Sequence, residues 1–208
     1  MKRLTLLGLA SLVLAGATTA YAQGAAAAPA AAPGSAPMVE LKVGDKAPNF
    51  KLQGTDGKTH NLSDYAGKQA VVLAWFPAAF TSGCTVECKS LAEHGDLIKK
   101  YQAQYFMASV DPIEKNTEFA KATSVTLGAG DNARVVEKKE ADFPMLSDPT
   151  KETAKAYGVL NERSGFANRW TFYIDKTGKV VAVDTAVRAP TSAEDMVAKL
   201  SELKIAMK

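Results

Sequence analysis

The chain has 208 residues, with 25 Lys and Arg against 22 Asp and Glu, and only two cysteines. Without Lys2 and Arg3 the balance is 23 basic to 22 acidic, so no basic field points to nucleic acid or an anionic membrane. Two cysteines are too few for a four-cysteine zinc site, and Cys84 and Cys88 are not spaced as C-x-x-C.

Lys2 and Arg3 precede an apolar run from Leu4 to Ala17, and Ala20 and Ala22 place small residues at −3 and −1 before Gln23. This is the pattern of a cleaved signal peptide over residues 1–22, and it predicts a periplasmic or secreted protein. The apolar run is short and broken by glycine, which argues against a membrane anchor. Residues 23–37 are almost wholly Ala, Pro and Gly and read as a flexible linker. Residues 38–208 then suit one domain with a substantial core. In an oxidising compartment a cysteine pair defaults to a disulfide. A domain of this size has little need of one, however, and closing so short a loop gains little chain entropy.

Within 38–208, Phe50, Leu52 and Leu62 flank a Thr55–Lys58 turn, predicting an N-terminal β-hairpin. Residues 69–77 are a continuous apolar run that reads as a buried central strand ended by Pro77. A loose helical stripe follows from about Ser82 to Tyr101, weakened at Gly95. Residues 104–111 read as a second strand, with Asp111 as a cap and Pro112 as the start of a helix. Residues 123–141 show no clear period and are taken as an insertion or long loop. A third strand (143–149), a short helix ended by Gly158, a strand–turn–strand over 169–184 and an amphipathic helix from Thr191 or Ser192 complete the pattern. Strands alternating with helices predict an α/β fold with a central mixed sheet flanked by helices.

Cys84 falls at the start of the first long helix, where orphan N–H groups and the helix dipole favour a thiolate. Pro77, Thr81 and Cys84 form P-x-x-x-T-x-x-C. At average frequencies Pro and Thr would both fall at these positions by chance only about 0.3% of the time. This motif resembles the active-site signature of the peroxiredoxins. The segments at 43–68, 109–121, 143–149, 156–159 and 169–180 resemble that family's landmarks in order, and 80–87 is most similar to its bacterioferritin-comigratory, or Q-type, subgroup.

The resemblance implies a thioredoxin-like fold and a thiol peroxidase acting on hydrogen peroxide or organic hydroperoxides. It implies that Cys84 is the peroxidatic cysteine and that Arg169 holds the thiolate and polarises the peroxide; Thr81 is placed to supply a hydroxyl to the thiolate or to an incoming oxygen, and Pro77 to fix the loop and shield the sulfur from water. No metal, haem or flavin is implied, because the electrons pass through thiols. A thioredoxin-like protein is the implied reductant, and the assembly a monomer or weak homodimer. Glu87, one turn after Cys84, suits a helix N-terminus but opposes a thiolate. It reads as a helix-terminus charge or as a neighbour of the site.

Cys88 departs from the subgroup, whose resolving cysteine lies one residue later. On a helix, residues four apart have Cβ atoms roughly 5–6 Å apart, whereas a disulfide needs about 3.5–4.5 Å. A Cys84–Cys88 bond therefore requires the first helical turn to unwind. Cys88 is either the resolving thiol, which proximity favours, or a buried structural thiol served by an external one. A copper chaperone using both thiols would need a downstream histidine, and nothing follows His94; His60 reads as a turn residue. A thiol–disulfide oxidoreductase would use C-x-x-C.

Overall fold

The computed structural model describes residues 41–208; the expected signal peptide and linker lie outside the described residues, as do residues 38–40. The elements in chain order are β1 (Lys51–Gly54), β2 (Thr59–Asn61), β3 (Ala70–Trp75), α1 (Ser82–Lys99), β4 (Ala103–Ser109), α2 (Ile113–Lys121), β5 (Ser124–Leu127), β6 (Arg134–Glu137) and β7 (Met145–Ser147). They continue as α3 (Glu152–Ala156), β8 (Leu160–Asn161), β9 (Phe166–Ala167), β10 (Thr171–Ile174), β11 (Val180–Asp184) and α4 (Ser192–Glu202).

Seven strands form one mixed sheet in the order β11-β10-β3-β4-β7-β1-β2. The β3–β4 and β4–β7 pairs are parallel and the others antiparallel. The apolar run at 70–76 has both faces to bury, which is why it occupies the middle. Val72, Ala74 and Phe76 enter the core shared with α1, α2 and α4, while Val71, Leu73 and Trp75 enter the opposite core with Phe106, Tyr157 and Phe172. The predicted hairpin is β1–β2, paired Leu52 to His60.

Three local expectations change. The 123–141 segment contains an antiparallel hairpin, β5–β6, pairing Val125 with Val136 and Leu127 with Arg134. Its strands are only four residues each, and Val135 is exposed, so the buried face carries too few residues to show a period. A second small hairpin, β8–β9, is two residues per strand. Asp111 does not cap α2: the N-cap is Pro112, and the Asp111 carboxylate is drawn back toward the loop before α1.

Gly95 does not break α1 but admits a neighbour. A Cβ at this position would sit 2.3 Å from Tyr105 Oη, a buried hydroxyl without a hydrogen-bond partner among the described residues. Gly95→Ala is therefore expected to destabilise the fold by about 1–3 kcal/mol through overpacking. That loss outweighs a helix-propensity gain of about 1 kcal/mol. Tyr105→Phe in the same chain should recover most of the loss, as read by urea unfolding; no recovery would show that the clash lies elsewhere.

Candidate active site

The site forms where β3 leaves the sheet. Phe76 still pairs through its N–H with Ala108 O at 2.9 Å, and the half-buried Pro77 then ends the strand. The loop to α1 is held from below: Asp111 Oδ2 accepts a 2.7 Å hydrogen bond from Ala79 N. The same oxygen accepts from Ser109 Oγ, and Lys115 donates to Asp111 Oδ1 at 2.7 Å. Phe80 is left-handed (φ 66°) and packs edge-on against Phe119. A bulky residue in that conformation is strained, so the surrounding contacts must impose it. Thr81 is the N-cap residue of α1, but its hydroxyl donates to Ala78 O at 2.9 Å and so closes the loop rather than reaching Cys84.

Arg169 arrives from the other side of β3. Because β10 runs antiparallel to β3, with Thr171 opposite Ala74 and Trp75 N donating to Trp170 O, Arg169 lies beside the strand exit. Its Nη2 donates to Cys84 Sγ at 3.1 Å, and its Nη1 donates to Glu87 Oε2. Gly83 permits this approach, since a Cβ there would lie 3.0 Å from Arg169 Nη2. Cys84, Glu87 and Cys88 share the buried face of α1, and the helix is continuous through both free cysteines.

Glu87 is thus an ion-pair partner of Arg169 and not a helix-terminus charge. Burial pushes its carboxyl up to about 7, against the pull of the guanidinium. Its other oxygen, Oε1, makes no hydrogen bond among the described residues. The signal available in the sequence was its spacing, three residues after Cys84 and so on the same helical face. For Cys88, burial pushes the thiol up to about 12, with the Lys138 charge opposing. At neutral pH it therefore rests as the thiol.

The histidines lie apart from this cluster. His60 bonds Tyr65 Oη at 2.8 Å and Asp56 beneath the hairpin. His94 pairs with Glu194 on α4 at 2.6 Å. Among the described residues no group of three His, Cys, Asp or Glu side chains is placed to hold a metal. A cleft of about 750 Å³ lined by His60, Tyr65, Tyr105 and several lysines does not include Cys84 or Arg169.

The Glu87 pKa carries a sign. The folded state holds a proton that the unfolded chain releases near 4.5, so between pH 4.5 and about 7 the folded protein binds more protons. Stability from this group should therefore fall as pH rises through that window. Relative to wild type, Glu87→Gln is expected to lose this component of the slope in urea unfolding measured at pH 5, 6, 7 and 8. Parallel stability profiles for the two proteins would refute the buried acid.

These features have counterparts in known proteins. Residues 43–183 match the sequence profile of the AhpC/TSA family. The chain is 34% identical over 149 residues to peroxiredoxin Bcp of Escherichia coli K12, covering 69% of this chain and 85% of that protein. It is 33% identical over 140 residues to alkyl hydroperoxide reductase E of Mycobacterium bovis, covering 66% and 81%. The crystal structure of peroxidoxin BcpB from Mycobacterium tuberculosis superposes with a TM-score of 0.64 at 27% identity, covering 79% of this chain and 99% of that one. With the thioredoxin-like mixed sheet and a cysteine at the strand exit, the chain belongs to the AhpC/TSA family and is a peroxiredoxin of the Bcp-like branch.

Proposed function

We propose that this peroxiredoxin reduces hydrogen peroxide or organic hydroperoxides through Cys84, and that Cys88 then resolves the oxidised cysteine. The observation that carries the reading is the 3.1 Å hydrogen bond from Arg169 Nη2 to Cys84 Sγ. A fixed guanidinium charge favours the thiolate, and its forked donors can also meet the peroxide oxygens. The thiolate attacks the terminal peroxide oxygen. A sulfur–oxygen bond forms, the oxygen–oxygen bond breaks, and the departing oxygen leaves as water or an alcohol after taking a proton. Cys84 becomes a sulfenic acid. In this reading Pro77 and Thr81 act by fixing the loop that presents the sulfur.

Resolution needs motion, because an intact helix holds residues four apart too far for a disulfide. The first turn of α1 unwinds in our reading, bringing Cys84 to Cys88. The Cys88 sulfur displaces hydroxide from the sulfenic acid, and water leaves. A thioredoxin-like dithiol then returns both cysteines to thiols. The N-terminal pattern supports export to an oxidising compartment where such a partner would act. We propose a monomer or weak homodimer, which sedimentation across a range of concentrations would test.

The direct experiment adds one equivalent of hydrogen peroxide to the reduced protein and reads intact mass with thiol labelling. Loss of two hydrogens within one chain is the expected product. A stable gain of one oxygen with Cys88 still labelled would sink the resolving role. Cys84→Ser should abolish peroxide consumption, and Arg169→Met should lower kcat/KM by on the order of 10²-fold. Turnover surviving in the Cys84→Ser protein would refute the nucleophile.

A further inference from the structure

One buried cation stands outside the Cys84–Glu87–Arg169 cluster. Lys138 follows β6 and is 5% exposed, and among the described residues it is the only lysine so buried. Its backbone N–H donates to Thr123 O at 2.9 Å at the base of the β5–β6 hairpin. Its Nζ donates to Ala120 O and to Lys139 O, each at 3.2 Å, and lies 5.5 Å from the Phe119 ring centroid. An ammonium has three donors, and carbonyls occupy two. Among the described residues Lys138 makes no ion pair. A buried cation without a counter-charge is costly, so such a lysine calls for an anion that its resting surroundings do not supply.

That anion is available at Cys88. The Cys88 thiol is fully buried in the core that also holds Phe119 and Ala120, against which Lys138 packs. Burial lowers the Lys138 pKa and raises that of Cys88, and each group works against this in the other: the ammonium favours the thiolate, and the thiolate favours the ammonium. Of the other titratable groups, Cys84 and Glu87 on α1 oppose a charge on Cys88, and Tyr105 on β4 faces it. Glu140 adds a weaker pull on Lys138. Among the described residues named here, Lys138 is thus the charge that favours a thiolate at Cys88.

The hairpin also keeps this pair together while the helix start moves. Arg134 Nη2 donates to Ser82 Oγ at 2.7 Å in the first turn of α1, and Lys89 Nζ donates to Glu137 O at 2.8 Å about two turns later. The unwinding proposed above would release the Ser82 contact. The Lys89 contact, next to Cys88, stays.

We propose that Lys138 holds Cys88 as a thiolate during resolution, giving the 123–141 hairpin a role in the second chemical step. The proposal rests on the reading that Cys88 resolves Cys84. Cys88 gives up its proton, and its sulfur bonds to the Cys84 sulfur as the Cys84 sulfur–oxygen bond breaks. The hydroxide released takes a proton and leaves as water. Cys88 is oxidised, the sulfenic sulfur is reduced, and Lys138 ends unchanged.

The test uses the full reduced chain mixed with one equivalent of hydrogen peroxide. Sulfenic acid is trapped with dimedone at successive times, and the disulfide is followed by quenched thiol labelling. Lys138→Gln keeps donors for the two carbonyls but removes the charge, so a structural tether would survive it. We expect disulfide formation to slow roughly 10–100-fold in K138Q at neutral pH, with sulfenic acid accumulating. Oxidation of Cys84 should proceed at the wild-type rate. K138R keeps the charge and should resolve within about fivefold of wild type. Wild-type resolution in K138Q, or K138R as slow as K138Q, overturns the role of Lys138 and leaves Cys88 as the resolving thiol. A wild-type chain that stops at the sulfenic acid overturns the resolving reading itself.

Discussion

The Arg169 guanidinium, shared between Cys84 and Glu87, is the interaction on which the active site depends. One donor reaches the sulfur and another the buried carboxylate, so the arginine is positioned by an acid while it serves a thiol. Neither partner alone explains the geometry. A fully buried glutamate needs a cation, and a thiolate at the same depth needs one too. The sheet supplies a single positive group to both because β10 lies antiparallel to β3 and ends its approach at the strand exit.

Around this pair the backbone is arranged to present one atom. Pro77 ends β3, a left-handed Phe80 turns the chain, and Asp111 anchors Ala79 from the end of the neighbouring strand. Gly83 leaves room for the arginine. These devices act on different bonds, yet each limits the freedom of the segment between Phe76 and Cys84. A nucleophile held this way needs little reorganisation to meet a small substrate. The second cysteine is placed under an opposite constraint, secured within a continuous helix and protonated at neutral pH by burial. The resolving role proposed for it depends on a change of structure that the proposed first step does not require.

Legibility in the sequence followed the length and burial of each element. The 70–76 run was readable because a strand buried on both faces is apolar throughout, and α1 because eighteen residues leave a stripe. The β5–β6 and β8–β9 hairpins were not, since strands of four and two residues hold too few inward positions for a period. Gly95 looked like a weak point in a helix and is a contact site for Tyr105. Asp111 looked like a helix cap because Asp before Pro is a common start signal. Its carboxylate instead satisfies a buried N–H thirty-two residues earlier, a demand that no local pattern reveals.

By itself the sequence supplied the residues proposed for the first step: a cysteine at a helix start, preceded at fixed spacing by Thr81 and Pro77, with Arg169 before a late strand. Local spacing suffices there because a strand exit, a loop and a helix N-terminus are consecutive in the chain. Only the tertiary structure decided which charges meet those thiols. Glu87 pairs with a residue 82 positions away, and Lys138, just after a hairpin that the pattern left unread, packs on Ala120 and Phe119 in the core that holds Cys88. Electrostatic partnership depends on distance and burial in space, and sheet register, not sequence separation, sets both.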